Sequence, residues 1–310
     1  MNVKPSLDEL FERRVSFPDF EPQERLARLV GLDDQKDRLA KVLGLLVNPF
    51  GLQEWAEKYH PQARAAVDTV MRRPPLAVLA GDVGSGKTEL AETIGDAVAR
   101  QEGIDITLYP LSLATRGQGR VGEMTQLVSA AFDYTIEAAE KLKNRSGKAR
   151  GAVLLLIDEA DALAQSRENA QMHHEDRAGV NALIRGIDRI ANQKLPAAVL
   201  MCTNRLKALD PAVQRRAAEV LTFGRPDDTQ RRHLLTTKLQ GIGLSVQVID
   251  ELVKLTGPRA TDAPGFTFSD INQRLIPAIV LSAYPRSAVD ARTALLTAKA
   301  MLPTPAFQDR

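Results

Sequence analysis

The chain has 310 residues, 44% hydrophobic and 26% charged, with a formal net charge of +2. That balance suits a globular protein of one large domain or a core plus a smaller one, with no global pull towards nucleic acid or acidic membranes. The longest apolar runs, such as Ala152 to Ile157, are too short to span a bilayer. The opening Met1-Asn2-Val3-Lys4 begins no signal peptide, and the single Cys202 excludes a disulfide framework, so a cytoplasmic protein is expected.

Residues 1–24 mix Pro5, Pro18 and Pro22 with charges and with Phe11, Phe17 and Phe20, which reads as an arm docking on a neighbour through its rings. Asp33 or Asp34 is the expected cap of a helix carrying Leu39, Val42, Leu43 and Leu46 at helical spacing, ended by Asn48-Pro49. A short helix over Leu52 to Tyr59 follows, and Arg72-Arg73-Pro74-Pro75 leads into a strand at Leu76.

That strand breaks into Gly81-Asp82-Val83-Gly84-Ser85-Gly86-Lys87-Thr88, the G-x-x-x-x-G-K-T pattern of a phosphate-binding loop. Its glycines let consecutive backbone N–H groups turn inward around a polyphosphate. Lys87 is placed to reach the β and γ phosphates of a nucleotide, and the Thr88 hydroxyl to complete a Mg²⁺ shell. The helix that Glu89 enters turns its N-terminal dipole towards the anion.

Further along, Ile104 to Tyr109 reads as a strand, Gly117 to Glu123 as a glycine-dense loop and Thr125 to Leu142 as a helix. The unbroken run Ala152 to Ile157 reads as a strand buried on both faces. A helix from Ala178 to Ile190, a strand from Ala197 to Cys202, a helical turn near Pro211 and a strand from Val220 to Phe223 complete an alternation that implies a mainly parallel sheet. Beyond Arg225-Pro226-Asp227 only helices are expected: Thr229 to Gln240, Val246 to Thr256, Ser269 to Tyr284 and Asp290 to Ala300. The expected organisation is an arm over 1–24, a large α/β domain over 25–225 and a small helical domain over 226–310.

The buried strand ends in Asp158-Glu159-Ala160-Asp161, placing carboxylates at the C-terminal end of a parallel strand, where nucleotide chemistry sits in α/β sheets. Asp158 is suited to hold Mg²⁺, and Glu159 to orient and polarise an attacking water. Asn204, after the next strand, can bridge that water and the γ phosphate. Arg215 and Arg216 offer cations for phosphate charge developing in a neighbouring subunit's site. The adjacent His173 and His174 cannot share one helical face and have no third spaced ligand, so they do not read as a metal site.

In this order, the loop at 81–88, the Asp158-Glu159 strand, Asn204 and Leu209-Asp210-Pro211-Ala212 with its following arginines resemble an AAA+ ATPase over roughly residues 25–300. The resemblance implies a P-loop α/β core, with a parallel sheet flanked by helices, and a small all-helical lid. Within that superfamily the segments Asn181 to Ile190, Arg215-Arg216-Ala217 and Gln273 to Pro277 with Tyr284 look most like the pachytene-checkpoint-type ATPases that remodel HORMA-domain proteins, including their bacterial anti-phage relatives. The likeness implies a homohexameric ring acting on a HORMA-domain protein, with Val30 and Gly31 by the adenine, Asn204 as γ-phosphate sensor, and Arg215 or Arg216 acting in trans. Loops at about 116–122 (Gly119, Arg120 and Val121 among them) and 165–177 would line the pore.

The chain also departs from the pattern. Arg120 stands where many relatives carry an aromatic pore residue, and Ala218 where a second trans arginine is usual. Phe266, Thr267, Phe268 and Ser269 occupy the segment of a lid arginine, leaving Arg274 as the nearest candidate. A nucleic-acid motor or loader on the same core, or an unfoldase for another protein, is the alternative. The first is disfavoured by the charge balance and the lack of a basic, aromatic-interleaved segment. No Asn-Lys-x-Asp segment supports a GTPase.

Overall fold

The protein is described as a computed structural model covering all residues except 1–9, 12, 114–122, 145–147, 164–172, 260–262 and 307–310. Its sheet is built from apolar runs. Strand β2 (Leu76–Gly81), β4 (Gly151–Asp158) and β5 (Ala197–Thr203) bury nearly every side chain, as strands covered on both faces must. The sheet has six strands, in the order β1-β3-β4-β5-β2-β6, with β1 at Val15–Phe17, β3 at Asp105–Ser112 and β6 at Glu219–Phe223. The β3–β4, β4–β5 and β5–β2 pairs are parallel, with Leu155 opposite Val199 and Leu79 opposite Cys202. The C-terminal ends of β2, β4 and β5 therefore open on one edge.

Strand β1 is the exception. It pairs antiparallel with β3, Val15 opposite Leu108 and Phe17 opposite Ile106. The N-terminal segment, expected to dock on a neighbour, thus folds onto its own sheet. Phe11 and Phe17 are 1% and 2% exposed, Phe11 stacks on Tyr109 at 4.9 Å, and the Phe17 ring lies over Gly95, where a Cβ would come within 2.3 Å of it. Only Phe20, at 70% exposed, faces solvent. It opens helix α1 (Phe20–Ala27), whose cap Asp19 accepts from the Glu21 N–H. Helices α2 (Asp33–Val47), α3 (Phe50–Tyr59) and α4 (Arg64–Met71) precede β2. Helices α5 (Lys87–Glu102), α6 (Glu123–Leu142), α7 (His173–Asn192) and the short α8 (Pro211–Gln214) alternate with the strands.

The chain divides into two compact units: Met1–Arg28, Asp34–Ala80 and Thr88–Thr222 form one, and Leu29–Asp33, Gly81–Lys87 and Phe223–Arg310 the other. The core of the first sets Val128, Phe132 and Leu183 of the flanking helices against Val78, Leu155 and Val199 of the sheet. The second unit is helical beyond Phe223 among the described residues. It contains α9 (Asp228–Lys238), α10 (Val246–Thr256), a wide π-type turn at Asp270–Leu275, α11 (Ile276–Ala283) and α12 (Ala291–Ala300). Leu235, Leu252, Phe266, Ile271 and Ile279 fill its core. The amphipathic spacing of those helices accounts for that interior. No described helix is long and apolar enough to cross a membrane.

Candidate functional site

Within the second unit, the loop 81–87 takes the conformation its glycines permit. Gly84 and Gly86 have φ of 72° and 94°, a region that residues with a Cβ enter only under strain. Space enforces the same choice at Gly84, where a Cβ would meet Ser269 Cβ at 2.8 Å and Thr267 Oγ1 at 2.9 Å. The Ser269 N–H donates to the Gly84 carbonyl at 3.1 Å, so the segment where a lid arginine was sought packs on the loop itself. The buried Lys87 Nζ donates to the carbonyls of Gly81 at 3.0 Å and Asp82 at 2.8 Å, while Ser85 Oγ donates to the same Asp82 carbonyl. The Val83 N–H is held by Asp82 Oδ1 at 2.9 Å.

Val30 packs against the helical core of this unit, and Gly31 has a φ of 75°. The Gly31 carbonyl accepts from Gln230 Nε2 at 2.7 Å; the same side chain closes a capping box with Asp227 at the start of α9. Arg274 donates to Asp270 at 2.6 Å within its own turn. A different arginine, Arg225, reaches the phosphate loop, its Nε lying 2.7 Å from Asp82 Oδ2.

The first unit brings together Thr88, Asp158 and Glu159. The Thr88 hydroxyl hydrogen-bonds to the Asp158 carboxylate, whose Oδ1 also accepts from the Glu159 N–H at 2.8 Å. Burial pushes the Asp158 carboxyl above the usual carboxylate range. The bonds from the Glu159 N–H and Thr88 pull it down, and the charges of Glu159 and Glu92 push it up again. Glu159 adopts a φ of 53°, one of two described non-glycine residues in the left-handed region. Strained backbone of this kind clusters at functional sites.

Arg25 of α1 grips the opening turns of α5. Its Nε and Nη2 bind the two carboxylate oxygens of Glu89 at 2.8 and 2.9 Å, and Nη2 also binds Glu92 at 2.8 Å. Arg13 adds a second cation to Glu92 at 2.6 Å. Glu89, expected beside the nucleotide, is thus held by Arg25. Neither arginine carries a local sequence signal, because the contact spans more than sixty residues of chain.

Asn204 follows β5, and its placement depends on Asp161, 7% exposed. The Asp161 carboxylate accepts from the Thr203 hydroxyl, from the Asn204 N–H at 3.1 Å to each oxygen, and from the Arg205 N–H at 3.3 Å. The turn after β4 is thereby tied to the end of β5. The two adjacent arginines differ. Arg216 binds Asp188 of α7 and the Ala212 carbonyl, whereas Arg215 is exposed at the C-cap of α8. Gly119, Arg120 and Val121, and the expected loop over 165–177 as far as residue 172, lie outside the described residues.

Residues 77–225 match the ATPase family associated with various cellular activities (AAA). The chain belongs to that AAA family and is an ATP-hydrolysing enzyme. It is 82% identical over 310 residues to CD-NTase-associated protein 6 of Escherichia coli (strain MS 115-1), covering 100% of both chains. Among solved structures it matches a chain of the E. coli MS115-1 HORMA:CdnC:Trip13 complex at 80% identity and a TM-score of 0.91, covering 99% of this chain and 100% of that one. The Rhizobiales Trip13 structure matches at 55% identity and a TM-score of 0.75, over 96% of this chain and 100% of that one.

Proposed function

We propose that this ATPase remodels a HORMA-domain protein in bacterial anti-phage signalling, working in the cytoplasm as a homohexameric ring that engages its partner through a central pore. What carries this reading is full-length similarity, at 82% identity, to CD-NTase-associated protein 6, together with the match to a chain of a complex containing HORMA and CdnC.

The residues fit a magnesium nucleotide. Thr88 and Asp158 present touching hard-oxygen donors, and the Asp158 carboxylate, disfavoured as an anion by burial and by Glu159 and Glu92, gains from a cation beside it. Bound Mg²⁺ supplies neutralisation of phosphate charge. The chain's own groups do the rest. Lys87 and the inward N–H groups of 82–88 bind the phosphates of ATP. Glu159 aligns water for attack on the γ phosphorus and takes its proton. Asn204, held by Asp161, orients that water against the γ phosphate. Arg215 reaches the site of a neighbouring subunit, where its cation stabilises charge on the transferring phosphoryl group. Val30, Gly31 and the helices over 226–310, the proposed lid, cover the base.

The experiment is ATP turnover with and without a HORMA-domain partner, joined to a pull-down by Glu159→Gln protein in ATP. The expected result is partner-stimulated phosphate release by the wild type and an ATP-dependent, stalled complex with the variant. Absence of phosphate release even with the partner present would overturn the reading.

A further inference from the structure

The second position of the phosphate loop carries a carboxylate. Asp82 is the residue whose carbonyl receives Lys87 Nζ and Ser85 Oγ, so its side chain is anchored in the part of the loop expected to receive a polyphosphate. A negative charge there opposes binding of a polyanion.

Arg225 answers that charge. Its Nε donates to Asp82 Oδ2 at 2.7 Å and its Nη1 donates to the Gly265 carbonyl, while Nη2 is buried with no hydrogen-bond partner among the described residues. Both side chains are largely withdrawn from water, Arg225 to 13% exposure and Asp82 to 17%, so solvent screens the pair only in part. The contact joins residues 143 apart in sequence.

We propose that Arg225 is a positioning residue for nucleotide binding: it cancels the Asp82 charge so that the loop accepts a polyphosphate, and it fixes the loop against the Gly265 segment. The inference rests on the nucleotide reading above. It makes the Asp82–Arg225 couple, rather than either residue alone, the determinant of affinity. An arginine serving only to brace the loop predicts that breaking the couple from either side weakens binding. An arginine serving to neutralise predicts effects of opposite sign, because Asp82→Asn removes the repelling charge and leaves the cation.

The test is ATP affinity, by calorimetry on the full chain, for Arg225→Gln, Asp82→Asn and the double variant. Arg225→Gln is expected to bind about tenfold more weakly and Asp82→Asn about threefold more tightly, with the double variant within about threefold of wild type. A folded Arg225→Gln protein with wild-type affinity overturns the proposal. So does weaker binding by Asp82→Asn, or a double variant no better than Arg225→Gln, an arm that holds even where the single arginine variant misfolds. A wild-type chain that binds no ATP removes the nucleotide reading and this inference together, whereas wild-type binding with indistinguishable variants removes only the inference.

Discussion

Arg216 and Asp188 meet in a two-pronged ion pair, Nε 2.8 Å from Oδ1 and Nη2 3.0 Å from Oδ2. A guanidinium fork matched to a carboxylate in this way is committed to α7 of its own chain. Its neighbour Arg215 is exposed and has no side-chain partner among the described residues. The trans role proposed above is therefore assigned to Arg215 rather than to Arg216. Arg215→Ala is expected to keep ATP binding and lose turnover by about a thousandfold. Arg216→Ala should instead cost up to about 1 kcal/mol of stability, since its pair is part-exposed. Steady-state phosphate release and thermal melting of both variants check the division. Equal turnover losses with equal stability would reverse it.

Asp161 holds the backbone at Asn204. Its carboxylate uses both oxygens to hold the Asn204 N–H and also accepts from Thr203 and Arg205. An amide at this position offers one acceptor oxygen and turns an N–H₂ towards donors. Asp161→Asn is expected to lower stability by about 2 kcal/mol, the cost of buried donors left unsatisfied. It should also reduce kcat with little change in KM for ATP, because Asn204 shifts while the phosphate loop does not. Kinetics on protein shown by melting to be folded decide it. A rise in KM at constant kcat would contradict the assignment.

What could be read from the sequence follows from how local each signal is. Strands β2, β4 and β5 announce themselves as unbroken apolar runs, and the loop at 81–88 as a spacing of glycines and lysine that few other functions require. Strand β1 does not: three residues carry no periodicity, and its pairing is decided by β3, some ninety residues on. Helix α4, eight residues long, buries no residue, so packing gives no reason to expect it although its sequence is amphipathic. The Arg25 grip on Glu89 and Glu92 and the Arg225 contact with Asp82 join distant segments of single charges, which in sequence look like solvated surface. Asp161 was visible as one more acid after the buried strand, yet its partners lie more than forty residues away.

Glu159 holds its carboxylate on a left-handed backbone, φ 53°, at a cost of about 1 kcal/mol. Glu159→Gln keeps that backbone and removes the proposed base, so ATP should still bind while turnover falls at least about a hundredfold. Glu159→Gly also removes the base but relaxes the strain, and should melt above the glutamine variant. Single-turnover phosphate release and paired melting curves test both halves. A glycine variant that melts below the glutamine one would show that the backbone there is not strained.

Asp270 is 1% exposed, which alone would raise its pKa, but its hydrogen bonds outweigh burial. Oδ2 accepts from the Thr267 and Thr304 N–H groups, each at 3.0 Å. Oδ1 accepts from the Thr304 hydroxyl at 2.7 Å and from Arg274 at 2.6 Å. Together these hold the carboxyl at about 2, against an ordinary value of 3.8. The folded pKa lies below the unfolded one, so the stabilisation is fully present above about pH 4 and is lost as pH falls towards 2. The contribution is about 2 kcal/mol. Asp270→Asn should therefore be less stable than wild type at pH 7, and the difference should shrink steadily below pH 4 as the wild-type carboxyl takes up its proton. Denaturant unfolding of both proteins at pH 7, 4 and 3 measures the gap. A gap unchanged between pH 7 and pH 3 would mean that the ionised Asp270 contributes nothing to holding this turn against Thr304.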